Sequence, residues 1–202
     1  MTFWREQSPL ILASQSRARQ RMLAHAGIEF TAMPADLDER VIAQSSGLSS
    51  PRDIAAMLAR EKALAVSRLK PAQWVIGADQ TLALGARLFS KPAGRPEAAE
   101  QLHALAGVRH ELYSAVAVAS GSQIVFSHVA MAGMTMRPLS EVDIEAYLDE
   151  AGQDVTSSVG AYQLEGLGVH LFDHIEGDFF TILGLPLLQL LAFLRSQQLL
   201  TL

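Results

Sequence analysis

Short apolar runs alternate with longer amphipathic stretches along the 202-residue chain. Residues 9–13 form a compact apolar run typical of a short buried strand, and residues 17–26 then have the pattern of a helix that closes at Gly27. Helices follow strands in the first half, and two long strands joined at residues 120–122 occupy the middle. This order predicts an α/β fold with a mixed sheet flanked by helices.

The same pattern gives approximate bounds for the elements. Strands are predicted at residues 9–13, 28–33, 74–78, 81–84, 87–89, 111–119, 123–136 and 169–175, and helices at residues 17–26, 51–69, 96–106, 140–150 and 185–199. Ser50 and a capping box at Ser140 are typical of helix starts. The polar residues 34–50 predict a loop, and the glycine-rich residues 151–168 predict a functional loop or a surface connector.

Composition narrows the classes of function. Half of the residues are hydrophobic and 18% are charged, which is enough apolar material for a sizeable core. The formal net charge of −5 argues against general nucleic-acid binding, although a small anionic ligand needs only a local basic cluster. The chain has no cysteine, so disulfides, thiolate metal sites and cysteine nucleophiles are excluded.

No pattern predicts export or membrane insertion. The N-terminal residues 1–17 contain only a short apolar run without a signal-peptide cleavage site. The most apolar stretch, residues 182–194, is too short to span a bilayer and is interrupted by Gly184, Pro186 and Gln189. We therefore expect a soluble cytoplasmic protein, whose apolar C-terminal helix could pack on a second copy to form a homodimer.

A serine–arginine turn, residues 14–19, follows the first predicted strand and opens the first helix. Backbone N–H groups at a helix start attract anions, and the hydroxyls of Ser14 and Ser16 with the guanidinium groups of Arg17 and Arg19 add donors suited to phosphate. The alternative is a serine N-cap followed by a solvated basic helix face.

Two acidic segments are candidates for metal binding or base catalysis. Asp79 is expected at the C-terminal end of the strand at residues 74–78, where α/β proteins usually bind ligands. Its carboxylate could hold a divalent cation or accept a proton from water. Glu39 could supply an oxygen ligand to a hard cation such as Mg²⁺. Alternatively, Asp79 caps a turn and the acidic segment around Glu39 is merely solvated.

Two lysines and the glycine-rich loop complete the candidates. Lys62 on a predicted helix and Lys91 just past a strand could each neutralise phosphate charge, although Lys62 also fits an ordinary exposed helix position. In the loop, Tyr162 could stack on a base and Glu165 could accept hydrogen bonds from its N–H groups. The alternative for the loop is a flexible connector.

The histidines do not predict a metal site. His170 and His174 are four residues apart, a spacing that suits metal binding on a helix. In the strand predicted there, this spacing separates them by about 13 Å, which excludes a site of two histidines.

Taken together, these segments resemble the Maf family of nucleotide pyrophosphatases, in the same order over nearly the whole chain. The resemblance lies in LILASQSRARQRML, PADLDER, LAREKA, VIGADQTLALG, FSKPAGRPEAAEQLHALAGVRHELYSAVAV, VGAYQLEGLG and IEGDFFTILGLPL. Each motif has low specificity alone, and the shared order and spacing give the resemblance its weight. It implies one Maf-like domain over residues 1–202, similar in fold to inosine-triphosphate pyrophosphatases, with an elongated mixed sheet and a central cleft between two lobes.

The resemblance also implies an activity. Maf proteins cleave a nucleoside triphosphate between its α and β phosphates, giving a monophosphate and pyrophosphate, and use Mg²⁺, Mn²⁺ or a similar ion. By resemblance, Asp79 accepts the proton of the attacking water and Glu39 helps to hold the metal. The residues that would hold the triphosphate are Ser14, Ser16, Arg19, Lys62 and Lys91.

Neighbouring residues indicate a branch of the family. Gln80 and Glu165 resemble the branch that acts on 7-methyl-GTP, whereas the dTTP/UTP branch typically has Thr and Gln at these positions. Glu165 could pair with the N1–H and N2 donors of guanine, while uracil and thymine offer one N3–H donor. Ala18 departs from both branches, which usually have a bulkier residue there, and is a further candidate specificity position.

Two other functions stay open at this point. One is a dTTP/UTP pyrophosphatase, and the other is a non-catalytic nucleotide-binding regulator of septum formation. The presence of Asp79, Glu39 and both lysines favours catalysis, because a pure binder would not need all four.

Overall fold

A computed structural model describes residues 3–201 as a mixed α/β structure. The strands are β1 (Leu10–Leu12), β2 (Phe30–Ala32), β3 (Val75–Leu84), β4 (Arg87–Phe89), β5 (Arg109–Ser120), β6 (Gln123–Met136) and β7 (Phe172–Glu176). The helices are α1 (Arg17–His25), α2 (Glu39–Ser45), α3 (Pro51–Leu69), α4 (Arg95–Leu105), α5 (Glu141–Ala151), α6 (Phe179–Ile182) and α7 (Leu187–Ser196). Three short 3₁₀ turns lie between α5 and β7.

The strands pair into a mixed sheet of seven strands. Its order is β2-β1-β3-β5-β6-β7, and β4 pairs with β3 outside this path. Strand β1 runs parallel to both β2 and β3, whereas β4 is antiparallel to β3 and β7 is antiparallel to β6. The predicted α/β fold with a mixed sheet flanked by helices is confirmed.

The described chain forms two compact units. The first comprises residues 3–80, 114–130 and 184–201, and the second comprises residues 81–113 and 131–183. The second unit has its own apolar core, which includes Leu82, Leu102, Met134, Ile144 and Leu148. The single domain over residues 1–202 stays a prediction, and its residues 1, 2 and 202 lie outside the described part of the chain. The central cleft also stays a prediction.

Several predicted bounds are confirmed, helix α3 most closely. The hydroxyl of Ser50 accepts a hydrogen bond from the N–H of Asp53 at 3.4 Å, and Pro51 occupies the first turn, as expected for a helix start. Ser140 and Asp143 form the predicted capping box of α5. Among residues 3–201, no helix has the length and apolar character needed to cross a membrane.

Other bounds were wrong, and each has a local cause. Helix α2 replaces part of the loop predicted at residues 34–50, because Asp38 caps it by accepting a hydrogen bond from the N–H of Val41 at 3.0 Å. Strand β3 continues to Leu84, because it pairs with β4 in this stretch. Asp79 is therefore the fifth residue of a ten-residue strand and not the residue after one.

The C-terminal third also departs from the predicted bounds. Strand β7 begins at Phe172, so His170 lies in the 3₁₀ turn before it and not on the same strand as His174. Helix α6 was not predicted; Asp178 caps it through the N–H of Thr181 at 3.0 Å. Helix α7 is shorter than predicted and buries Leu187, Leu190 and Leu194 within the first unit.

Candidate active site

Three charged side chains of the first unit meet at one ammonium group. Lys62 lies 2.7 Å from a carboxylate oxygen of Asp79 and 2.9 Å from one of Glu39. Lys62 and Asp79 are 8% and 6% exposed, whereas about half of the Glu39 side chain is exposed. The two acids that the sequence placed in separate segments therefore converge on the same cation.

Close packing of β3 against α3 brings Asp79 to Lys62. A Cβ atom at Gly77 would lie 2.1 Å from the carbonyl oxygen of Ala59 and 2.5 Å from the nitrogen of Ala63, so only glycine fits there without movement of the helix. Gly77 and Asp79 are two residues apart on one strand and face the same side of the sheet. The close approach at Gly77 thus directs Asp79 towards the helix that carries Lys62.

Helix α2 brings the second acid to the same point. Glu39 is its first residue, and Asp38 immediately before it provides the N-cap. A carboxylate in the first turn of a helix is stabilised by the helix dipole. The acidic segment therefore has two distinct roles, since Asp38 fixes the start of the helix and Glu39 contacts Lys62.

The serine–arginine turn lies next to Asp79. Ser16 is the N-cap of α1, and the hydroxyl of Ser14 accepts hydrogen bonds from the N–H of Ser16 and from Nη1 of Arg19, both at 3.2 Å. The same Nη1 donates to the carbonyl of Ala78 at 2.9 Å. Arg19 thereby joins the turn to the residue that precedes Asp79.

Arg19 also binds a third segment of the first unit. Its Nε donates to the carbonyl of Gly184 at 2.8 Å, and Gly184 adopts a φ of +92° that favours glycine. Burial lowers the pKa of Arg19, whereas the charges of Asp79 and Glu39 raise it. The guanidinium group therefore connects three segments of the chain next to Asp79, through the hydroxyl of Ser14 and the carbonyls of Ala78 and Gly184.

Burial and neighbouring charge act in opposite directions on Asp79. Burial raises the pKa of its carboxyl above the ordinary value of 3.8, and Glu39 adds to this increase. Lys62 and Arg19 lower the pKa through their positive charges, and the hydrogen bond from Lys62 lowers it further. Asp79 is thus a desolvated carboxyl held between cations, an environment that tunes an acid or base for catalysis.

Two of the predicted specificity residues are neighbours in the chain of residues in this cluster. Gln80 follows Asp79 and donates a hydrogen bond from Nε2 to the hydroxyl of Ser114 on β5 at 2.9 Å. Ala18 is the second residue of α1 and is half-buried.

Lys91 and Glu165 belong to the second unit. Lys91 is exposed in the segment between β4 and α4, and Glu165 is exposed in the turn that follows the second 3₁₀ segment. The structure thus brings Ser14, Ser16, Arg19, Glu39, Lys62 and Asp79 together in one unit, and it assigns Lys91 and Glu165 to the other.

The donor chemistry of the acidic pair suits a hard cation. Among residues 3–201, no group of three or more His, Asp or Glu side chains could hold a metal. Mg²⁺, however, is commonly bound by one or two carboxylates together with substrate phosphates and water. Glu39 and Asp79 already place one oxygen each within 2.9 Å of a single cationic group, the ammonium of Lys62.

Sequence reasoning missed the burial of Lys62 and the roles of Gly77 and Ser114. The buried residues of α3 recur at positions 54, 55, 58, 59, 62, 63, 66 and 67, and this helical stripe contains Lys62. That periodicity could have shown that Lys62 does not occupy an ordinary exposed position. The close packing at Gly77 and the contact of Ser114 with Gln80 join distant segments and leave no local pattern.

Fold and site define an α/β protein in which a buried carboxyl, that of Asp79, contacts a buried lysine next to the start of a helix. The chain belongs to the Maf family, because its residues 9–197 match the sequence model of that family, which is described as Maf-like protein. The resemblance seen in the sequence is thereby confirmed.

Curated relatives match this chain over nearly their whole length. A nucleoside triphosphate pyrophosphatase from Rhodopseudomonas palustris is 66% identical over 200 residues, which cover 99% of each chain. One from Bradyrhizobium diazoefficiens is 67% identical over 199 residues, or 98% of each chain. A 7-methyl-GTP pyrophosphatase from Rhizobium meliloti is 49% identical over 190 residues, which cover 93% of this chain and 95% of the relative.

The free energy of unfolding should depend on pH through the buried carboxyl of Asp79. The raised pKa of Asp79 means that the folded state binds this proton more tightly than the unfolded state, so the resulting stability is present below pH 3.8 and is lost as pH rises through the folded-state pKa. Lys62→Met removes the main group that lowers this pKa. We expect a loss of about 3 kcal/mol at pH 7 and a smaller loss at pH 4.

Denaturant unfolding of the wild-type protein and of Lys62→Met between pH 4 and pH 8 measures this change in the free energy of unfolding. Arg60→Met is the matched control, since Arg60 is an exposed cation on the same helix. A destabilisation by Lys62→Met that is constant across this range, or equal to that of Arg60→Met, contradicts the buried ion pair.

Proposed function

We propose that this protein, a nucleoside triphosphate pyrophosphatase, acts on 7-methyl-GTP and releases 7-methyl-GMP and pyrophosphate. The convergence of Glu39 and Asp79 on Lys62, beside the serine–arginine turn, carries the proposal of a catalytic centre. The choice of 7-methyl-GTP rests on Gln80 and Glu165 and on the relative of that name at 49% identity.

Asp79 is proposed as the general base. Hydrolysis requires a group that accepts the proton of the attacking water, and a base is most effective when its pKa is not far below the working pH. Burial moves the pKa of Asp79 in that direction, while Lys62 and Arg19 favour its ionised form. These opposed effects suit a carboxylate that is charged before the reaction and takes up a proton during it.

The triphosphate is proposed to bind over the serine–arginine turn. The start of α1 contributes the positive end of a helix dipole, and Ser14 and Ser16 contribute hydroxyl donors. Arg19 and Lys62 supply positive charge next to Asp79, and Lys91 is proposed as a further phosphate-binding lysine by its resemblance to the family. Clustered cations offset the charge of the phosphates and hold them in position for attack.

A divalent ion, Mg²⁺ or Mn²⁺, is proposed to bind between Glu39 and Asp79. The fit rests on the two carboxylate oxygens that contact Lys62 at 2.9 and 2.7 Å, since these residues already enclose a cation. Two carboxylates are a normal protein contribution to a Mg²⁺ site that substrate phosphates complete. When bound, such an ion polarises phosphoryl oxygens and lowers the pKa of water.

Glu165 is proposed to recognise the nucleobase of the substrate by hydrogen bonds. Gln80 and Ala18 are proposed as further positions that determine specificity. Glu165 is exposed, and its carboxylate makes no hydrogen bond or ion pair within residues 3–201. It can accept hydrogen bonds from the N1–H and N2 donors of a guanine, whereas the single N3–H of uracil leaves one carboxylate oxygen without a donor.

A cytoplasmic location and a homodimer stay predictions.

Asp79→Asn tests the role of the proposed base. Asn has nearly the same shape but cannot accept the proton, so we expect pyrophosphate release to fall by about 10³-fold while nucleotide binding is kept. Activity is measured as pyrophosphate release with Mg²⁺, and binding is measured by calorimetry. A variant that turns over at the parent rate shows that Asp79 is not the base.

A substrate panel tests the proposed base specificity. We expect the wild-type protein to have a higher kcat/KM for 7-methyl-GTP than for UTP or dTTP. Glu165→Gln should reduce this preference by about tenfold, because it exchanges charge-assisted hydrogen bonds for neutral ones. A wild-type preference for UTP or dTTP would reverse the proposed substrate, and a Glu165→Gln variant with unchanged preference would remove Glu165 from base recognition.

A further inference from the structure

A buried glutamine in the second unit has both ends of its side-chain amide bound to backbone. Gln101 on α4 is 3% exposed. Its Nε2 donates to the carbonyl of Ser90 at 2.9 Å, and its Oε1 accepts from the N–H of Gly160 at 3.0 Å. A buried amide that uses its donor and its acceptor in this way fixes two segments at a defined separation.

The two segments that Gln101 joins are those that carry the ligand-binding candidates of this unit. Ser90 immediately precedes Lys91, the proposed phosphate-binding lysine. Gly160 begins the loop that leads to Glu165, the proposed reader of the base. The glutamine itself is too deeply buried to reach a ligand, so any effect on binding must pass through these segments.

The loop at Gly160 has an unfavourable backbone conformation, which hydrogen bonds from other residues stabilise. Gly160 and Ala161 have φ values of +81° and +61°, and the second of these is unfavourable for a residue with a side chain. The hydroxyl of Tyr147 donates to the carbonyl of Ala161 at 3.2 Å, and the buried His110 and Tyr162 form a hydrogen bond of 2.8 Å. Gln101 is thus one of several buried groups that hold the strained turn.

The strained turn connects directly to the segment that carries Glu165. The N–H of Gly166 donates to the carbonyl of Gln163 at 3.2 Å, which closes a four-residue turn with Glu165 at its third position. Gly168 packs against the same residue, since a Cβ there would lie 2.4 Å from the Gln163 carbonyl oxygen. Only Tyr162 separates the strained pair Gly160 and Ala161 from Gln163, the first residue of the turn that carries Glu165.

We propose that Gln101 is a positioning residue that sets the Lys91 segment and the Glu165 turn at the separation needed to bind the triphosphate and the base together. This inference rests on the proposed function, in which Lys91 binds phosphate and Glu165 reads the base.

Gln101→Met tests the inference, because Met has a similar size but can neither donate nor accept as the amide does. We expect KM for 7-methyl-GTP to rise at least about fivefold, kcat to change by less than about twofold, and the preference for 7-methyl-GTP over UTP to shrink. Glu100→Met, an exposed change one residue away, is the matched control and should leave all three quantities unchanged.

A double variant separates this role from simple stabilisation of the fold. If Gln101 affects the choice of nucleobase through Glu165, the double variant Gln101→Met/Glu165→Gln should prefer 7-methyl-GTP over UTP to the same degree as the single variant Glu165→Gln. If Gln101→Met does not fold, Gln101→Asn is the second variant, since it keeps a polar amide that is one methylene too short to reach both Ser90 and Gly160. It should reduce the same preference, and an unchanged preference overturns the positioning role of Gln101.

The outcomes distinguish this inference from the proposed function. If Glu165→Gln loses the preference for 7-methyl-GTP but Gln101→Met keeps it, even with a lower melting temperature, the positioning role of Gln101 is overturned alone. If Glu165→Gln keeps the preference for 7-methyl-GTP, Glu165 does not recognise the nucleobase. The proposed effect of Gln101 through Glu165 is then overturned as well.

Discussion

The ammonium of Lys62 between the carboxylates of Asp79 and Glu39 is the interaction on which the proposed site depends. A buried carboxylate without a counter-charge is strongly unfavourable, so Asp79 can stay charged inside the first unit only because cations surround it. Three distant features of the chain serve this contact. Gly77 admits helix α3 to the strand, Asp38 begins the helix of Glu39, and Arg19 joins the serine–arginine turn to the backbone before Asp79.

The same arrangement explains how a protein with a net charge of −5 can serve a highly anionic substrate. At this cluster the two cations Lys62 and Arg19 balance the two acids Asp79 and Glu39, although the whole chain is negative. A phosphate group bound there meets a field that is set mainly by these neighbouring charges and not by the whole surface. Lys62 and Arg19 together offset the charges of Glu39 and Asp79, and a divalent ion at the proposed site would add positive charge there when nucleotide is present. The carboxylates are thereby kept compensated at each stage.

Features with a local cause were predictable from the sequence, and features that join distant segments were not. Helix α3 was predicted to its ends, because Ser50 and Pro51 define a helix start by themselves. Helix α2 was missed because its seven residues bury none of their side chains, so no apolar periodicity reveals it. Asp79 was placed at a strand end because a charged residue rarely continues a buried strand. The compensation by Lys62, seventeen residues earlier on another element, cannot be read from that segment.

The Mg²⁺ dependence of Glu39→Gln tests most directly whether the acidic pair is a functional metal-binding centre. Pyrophosphate release is measured against Mg²⁺ concentration for this variant, for Glu61→Gln as a control on α3, and for the wild-type protein. We predict that Glu39→Gln raises the half-saturating Mg²⁺ concentration by about tenfold or more, whereas Glu61→Gln leaves it unchanged. Identical Mg²⁺ curves for all three proteins would contradict the account and leave Glu39 as no more than an ion-pair partner of Lys62.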